Sequence, residues 1–269
     1  MTSKATHLEL VTELTTSMFL NALKRFVARR GLCSHIYSDN ASNFTRANRE
    51  LLEFYHIIQK DQIQNYLRDQ KIQWHYIPAR SPNFGGLWEA AVKAVKHHLK
   101  RILNNIHLTY EEFYTLLTQI EAVLNSRPLT PLSSDPEDLE ALTPGHFIIG
   151  EPLNSVPEPN VENQRLTPVA RYHHLLRMTQ HFWKRWKNEY LHNLQQRSKW
   201  KFQSDVSSLI GSLVLLKEDN TPPQQWPKGR ITAIHPGHDN IVRVVSVKTP
   251  SGIVKRALGR VCVLPLNSS

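Results

Sequence analysis

Residues 77–96 read IPARSPNFGGLWEAAVKAVK, and their reading organises the rest of the chain. Pro78 closes residues 72–77, which read as a strand. Past Gly85 and Gly86, apolar residues recur at three- and four-residue spacing: Leu87, Ala91, Val92, Val95, Leu99, Ile102 and Leu103. That spacing predicts a helix over 87–104 with one face in a core. Glu89 falls in its first turn, where a carboxylate is favoured by the helix dipole. Lys93, Lys96 and Lys100 follow Glu89 on the same side of the helix. The plain reading of these lysines is a solvated polar face. Gly85 and Gly86 suit either a loop that approaches a ligand closely or a simple connector.

Upstream, residues 5–11 alternate as a strand would. Thr15 or Thr16 can cap a helix whose stripe is Met18, Phe19, Ala22, Leu23, Phe26 and Val27, and Gly31 can end it. Residues 34–38 read as a short strand running into Asp39, and helical stretches follow near 46–56 and 61–70. Downstream, Thr109 and Glu112 form a capping box for a helix reaching Asn125. Strands alternating with helices over residues 1–127 indicate α/β architecture. Prolines punctuate 128–165, which reads as an extended linker. An aromatic, amphipathic helix is expected at about 168–198, inside a helical segment 166–204. Over 205–269, β-rich runs at 212–216, 229–234, 241–247 and 253–258 are separated by turn residues and suggest a small barrel.

Charge is uneven. Residues 165–269 hold 17 Lys/Arg against 5 Asp/Glu, whereas residues 1–164 hold 16 against 18. A basic C-terminal part beside a near-neutral one points to a polyanion partner. Two distant cysteines, Cys33 and Cys262, exclude a disulfide framework and suit an intracellular compartment, nuclear or cytoplasmic, with no sign of secretion. No run of 18 apolar residues suggests a membrane span. No glycine-rich phosphate loop supports a nucleotide cofactor. Fourteen histidines make chance clusters expected, and the pairs His97–His98 and His173–His174 are read as surface residues.

Asp39, at a strand end, and Glu89, at a helix start, can converge at a sheet edge, where α/β folds bind ligands. Mg²⁺ needs only one or two carboxylates plus substrate phosphate. A turn role for Asp39 and a dipole role for Glu89 explain the same residues without a metal.

Four motifs occur in order: SDNASNF (38–44), IPARSPNFGGLWEAAVKAVK (77–96), VLNSRPLT (123–130) and LTPGHFIIG (142–150). Together they resemble the integrase core of long-terminal-repeat retrotransposons, most closely the BEL/Pao group. FWKRWKNEYLHNLQQRSKW (182–200) and residues 214–258 resemble the C-terminal region of the same polyproteins. The resemblance implies an RNase H-like core, a helical segment and an SH3-like barrel, with an ancestry in DNA integration. It implies Asp39 and Glu89 as the second and third members of the metal-binding D,D,E triad, with Mg²⁺ or Mn²⁺. It implies Lys93 and Lys96 as DNA contacts, and homo-oligomers on DNA.

The family's first Asp lies several tens of residues before its second, and Asp39 leaves no room for it. The expectation is therefore a core lacking its first strand and its upstream His/Cys module, with an incomplete triad and little catalysis of its own. Glu9 is expected as a solvated strand residue. Asn40 and Asn43 can orient Asp39, touch a sugar-phosphate, or serve a turn. On the barrel, Lys217, Arg230, Arg243, Lys255, Arg256 and Arg260 are expected to form a basic surface. On the long helix, the aromatics are expected to pack and the bases to face DNA. Two alternatives stay open: a non-catalytic DNA- or chromatin-binding protein, and a protein-interaction module.

Overall fold

A computed structural model describes residues 3–38, 44–51, 72–76, 86–103, 106–164, 170–201, 209–239 and 241–265. The chain forms two compact units, one of Leu8–Lys93 and one of Met1–His7 with Ala94–Ser269.

In the first unit, helix α1 spans Thr16–Arg30. The Thr15 side chain accepts from the Met18 N–H, and Gly31 ends the helix at φ 87°. The expected stripe is present, yet no α1 residue is fully buried. Strand β1 (His35–Ser38) pairs in parallel with β2 (Gln73–Tyr76). The Trp74 indole donates to Ser38 Oγ at 2.8 Å. Phe19 and Phe44 meet edge to face at 4.9 Å, beside Trp74. Residues 44–51 are helical, and the helix expected at 61–70 lies outside the described residues. Helix α2 spans Gly86–Leu103, and from Ala94 onward it belongs to the second unit.

In the second unit, α3 (Tyr110–Asn125) starts with the expected capping box. The Glu112 N–H donates to Thr109 Oγ1 at 3.2 Å, and the Thr109 N–H to Glu112 Oε2 at 2.7 Å. Leu116, Leu117, Ile120, Val123 and Leu124 form its buried stripe. The strand expected over 5–11 does not form. Two side chains at the end of α3 do the work of a neighbouring strand. Asn125 accepts from the Thr6 N–H at 2.8 Å and donates to the Thr6 carbonyl at 2.7 Å, and Arg127 donates to the Lys4 carbonyl.

The proline-rich stretch is pinned rather than extended free. β3 (Thr130–Pro131) pairs antiparallel with β4 (Ala141–Leu142), and α4 (His146–Ile149) follows. Further on, Val161 is buried, its N–H bonded to Gln180 Oε1 at 3.0 Å.

Helix α5 runs Arg171–Lys201. Its aromatics from Phe182 to Tyr190 pack, as their spacing predicts, whereas Tyr172 near its start is exposed. Trp183, Trp186 and Tyr190 surround Trp226, with ring centroids 4.8, 5.9 and 5.6 Å away, all near edge-to-face. Each such pair adds about 0.5–1.5 kcal/mol beyond burial. Two of the buried indoles have acceptors: Trp183 donates to the Thr221 carbonyl at 2.9 Å and Trp226 to Ser126 Oγ at 3.2 Å.

The C-terminal runs become β5 (Leu213–Leu216), β6 (Lys228–Pro236), β7 (Val242–Thr249), β8 (Gly252–Ala257) and, after a 3-10 turn at Leu258–Arg260, β9 (Val261–Val263). They form one antiparallel sheet in the order β8-β7-β6-β5-β9. Val214, Leu216, Ile231, Val245, Val247 and Val261 make its core. Gly229 sits where β6 meets β7 most closely: a Cβ there would lie 2.5 Å from the Lys248 carbonyl oxygen. No helix among the described residues is long and apolar enough to cross a membrane.

Candidate nucleic-acid interface

From Lys93 to Lys100 helix α2 divides its aliphatic and lysine side chains between two faces, while Val92, expected on the core stripe, is exposed. Val95 and Leu99 are buried, while Lys93, Lys96 and Lys100 are exposed. The three ammonium groups stand at three- and four-residue intervals, so one face carries a row of positive charge. No ion pair or hydrogen bond among the described residues engages any of the three. His97 and Arg101 are exposed beside them. Glu89 lies in the first turn of the same helix. Its side chain lies outside the described residues, as do Asp39, Asn40, Asn43 and Gly85. Among the described residues, no group of three or more His, Cys, Asp or Glu could hold a metal ion.

His98 departs from the surface role expected of it. It is 4% exposed, and its Nε2 lies 2.7 Å from Glu189 Oε2 of α5. Its ring meets Phe182 edge to face at 5.7 Å. It follows Lys96 by two positions, which turns it to the core side of the helix. That offset was readable in the sequence, since His98 lies three residues from Val95 and next to Leu99.

Glu9 departs too. It is a clamped ion-pair acceptor, 2.7 Å from Arg25 Nε and 3.0 Å from Arg29 Nη1. The two arginines lie one turn apart on α1 and reach the same carboxylate.

Of the basic surface expected on the C-terminal sheet, Arg230 drops out and most of the other cations are engaged by neighbours. Arg230 is 6% exposed and donates to three carbonyls: Asp138 at 2.9 Å, Gly211 at 2.9 Å and Ser133 at 3.1 Å. It is a brace between β6 and the proline-rich stretch, and it cannot meet DNA. Lys217 donates to Gln195 Oε1 at 2.6 Å. Arg243 grips Asp239 through both terminal nitrogens, at 2.9 and 2.7 Å. Those bonds, with the Ile241 N–H, hold the Asp239 carboxyl below its usual range. Arg256 reaches Glu218 at 3.1 Å, and Arg260 lies 3.7 Å from Asp219. Lys228 pairs with Glu140 at 2.7 Å, and Lys248 with Glu137. Of the expected set, Lys255 is the exposed cation with no ion pair among the described residues.

The bases of α5 divide similarly. Lys187 is buried, and its ammonium donates to the Glu218 carbonyl at 2.9 Å and Thr221 Oγ1 at 2.7 Å. Burial lowers its pKa. Lys184 is exposed but pairs with Glu162 at 2.8 Å. Arg185 is exposed. The side chains of Arg197, Lys199 and Lys201 lie outside the described residues. Both cysteines are free, and burial pushes the Cys262 thiol up to about 11.

Residues 170–264 match a family of unknown function, DUF5641. The match takes in α5 from Arg171 and the sheet through β9, and leaves α1–α4 outside it. No curated protein matches the chain. Among solved structures, the chain is similar to one in the simian T-cell lymphotropic virus intasome in complex with PP2A regulatory subunit B56 gamma. The alignment covers 96% of this chain and 67% of that one, at 11% identity and a TM-score of 0.34. A superposition that loose fixes neither topology nor site.

Proposed function

We propose that this chain is an integrase-derived, nucleic-acid-binding protein of retrotransposon type, with the exposed face of α2 as its DNA contact. The observation that carries the reading is the row Lys93, Lys96 and Lys100, exposed and without ion-pair partners among the described residues. The row sits on the helix whose first turn bears Glu89, within the motif that resembles integrases. Ammonium groups spaced along one helix face suit successive phosphates, and the affinity they supply comes from counterion release, independent of base sequence.

The finer fold belongs to the same reading. The parallel β1–β2 pair and the α2 that follows suit an RNase H-like core. The strand order β8-β7-β6-β5-β9, with a 3-10 turn before the last strand, suits an SH3-like barrel. Asp39 and Glu89 would hold Mg²⁺ or Mn²⁺, which supplies Lewis-acid activation of the attacking oxygen in phosphoryl transfer. Strand transfer is in this sense the ancestral activity, and assembly of several copies on DNA goes with it.

Fluorescence anisotropy with a labelled duplex, repeated from low to high salt, tests the binding. A log K against log[salt] slope of about −3 or steeper supports it. A slope near zero removes it. Strand-transfer assays with Mg²⁺ and Mn²⁺ separately read the chemistry.

A second reading has one observation in its favour. Ile253 is 68% exposed on β8, an edge strand of the sheet, and Ile241 and Val244 of the neighbouring segment are also exposed. An apolar, unpaired edge can add a strand from another chain, so the sheet suits a protein-interaction module.

A further inference from the structure

A cavity of about 230 Å³ opens between the end of α2 and the first half of α5. Arg101, His174, Arg177, His181 and Arg185 line it, over an apolar floor that includes Met178. The four α5 residues recur at positions 174, 177, 181 and 185, one stripe of the helix. Such a stripe normally alternates acids with bases or turns apolar. Here it gathers two arginines and two imidazoles around a hollow, with Arg101 on the facing helix, an arrangement that favours an anion.

No ion pair among the described residues joins Arg101, Arg177 or Arg185 to a carboxylate. Arg177 Nη2 lies 3.1 Å from His174 Nδ1, so one cationic fork is oriented by a neighbouring imidazole. Glu162, a carboxylate that acts on His181, is paired with Lys184 at 2.8 Å. Burial lowers the His181 pKa, and Arg177, Arg185 and Lys184 lower it further, against Glu162.

We infer that this pocket is a phosphoryl-anion site. Arginine forks match the oxygens of phosphate in a bidentate way, and three of them with two imidazoles exceed what one carboxylate would neutralise. The volume admits a phosphoryl group and part of its carrier. The site shares Arg101 with α2 but draws its other cations from α5, and inorganic phosphate tests it separately from DNA binding.

The test is a titration of the full chain with inorganic phosphate at constant ionic strength, following the His181 imidazole resonance by NMR. The expected result is a saturable shift together with a rise of the His181 titration midpoint, since a bound anion favours the imidazolium. Arg177→Gln with Arg185→Gln should weaken phosphate by about tenfold or more. Arg177→Lys with Arg185→Lys keeps charge but loses the fork, and should weaken it by less. Lys255→Gln should leave it unchanged. A short duplex that displaces phosphate from the same signal identifies the carrier as a nucleic-acid backbone. A duplex that leaves the phosphate signal intact identifies a free phosphorylated molecule. A His181 response no larger than chloride gives overturns the site. So does a response that persists in the Gln pair, provided tryptophan fluorescence shows the fold intact.

Discussion

Two basic regions of this molecule carry similar residue types and opposite roles. The C-terminal sheet lies in the part of the chain with the large cationic excess, yet its bases are mostly spent on partners. Arg230 is buried against three carbonyls, and Arg243, Arg256, Lys228 and Lys248 are paired with acids. The α2 helix lies where the net charge is near zero, yet its three lysines have no such partners. Net charge therefore says that a polyanion is attracted, while pairing decides where it can land. Many exposed ion pairs contribute little to stability, but a paired arginine is still a poor phosphate ligand, because binding DNA would first break its existing bonds.

Arg230 gives the sharpest way to break this comparison. Arg230→Met leaves three carbonyls without their donor inside the structure, and should cost about 3 kcal/mol in urea denaturation. Its effect on the salt slope of DNA binding should be negligible. A variant that folds as well as the parent but loses the slope would make the sheet the interface.

The α2 row comes next. Replacing Lys93, Lys96 and Lys100 together with Gln should reduce the magnitude of the salt slope by nearly 3, at about 0.9 per phosphate contact. Stability should change by about 0.5 kcal/mol or less per site, as for ordinary surface positions. The pair Arg243→Gln and Arg256→Gln should move the slope much less. Equal losses from the two sets would erase the distinction between the regions.

The smallest effect concerns a base already committed. Arg171 at the start of α5 donates to the Glu112 carboxylate of α3. That contact comes first in holding the Glu112 pKa at about 2, followed by the Thr109 backbone N–H. A carboxyl whose folded pKa is depressed contributes stability above its unfolded value of about 4.3, and loses it as pH falls toward 2. Melting temperatures of the parent and Glu112→Gln should therefore differ most at neutral pH and converge as pH falls through that window. A constant gap down to pH 2 would mean the pair contributes nothing through charge.

Local features carried most of the element assignments. The β1 and β2 strands, α1 with its Thr15 and Gly31 ends, the capping box at Thr109, and four of the five sheet strands all rest on signals within a few residues of one another. The 5–11 segment misled for the opposite reason. Alternation marks a chain able to join a sheet, but a strand needs a neighbour, and here the Asn125 amide and the Arg127 guanidinium take that neighbour's place. For His98 the adjacency to His97 suggests the surface, but its place beside the buried Leu99 and three residues past Val95 puts it in the core.

Periodicity, caps and turn residues are short-range, and they set where helices and strands lie, which face of α2 is polar, and that the chain carries a cationic excess. Which cations remain available was decided by tertiary structure. Arg230 meets carbonyls 92 and 97 positions upstream, and Lys187 is covered by a segment more than 30 residues away. Such partners follow from chain topology, because only folding brings a donor and a distant acceptor within 3 Å and removes both from water.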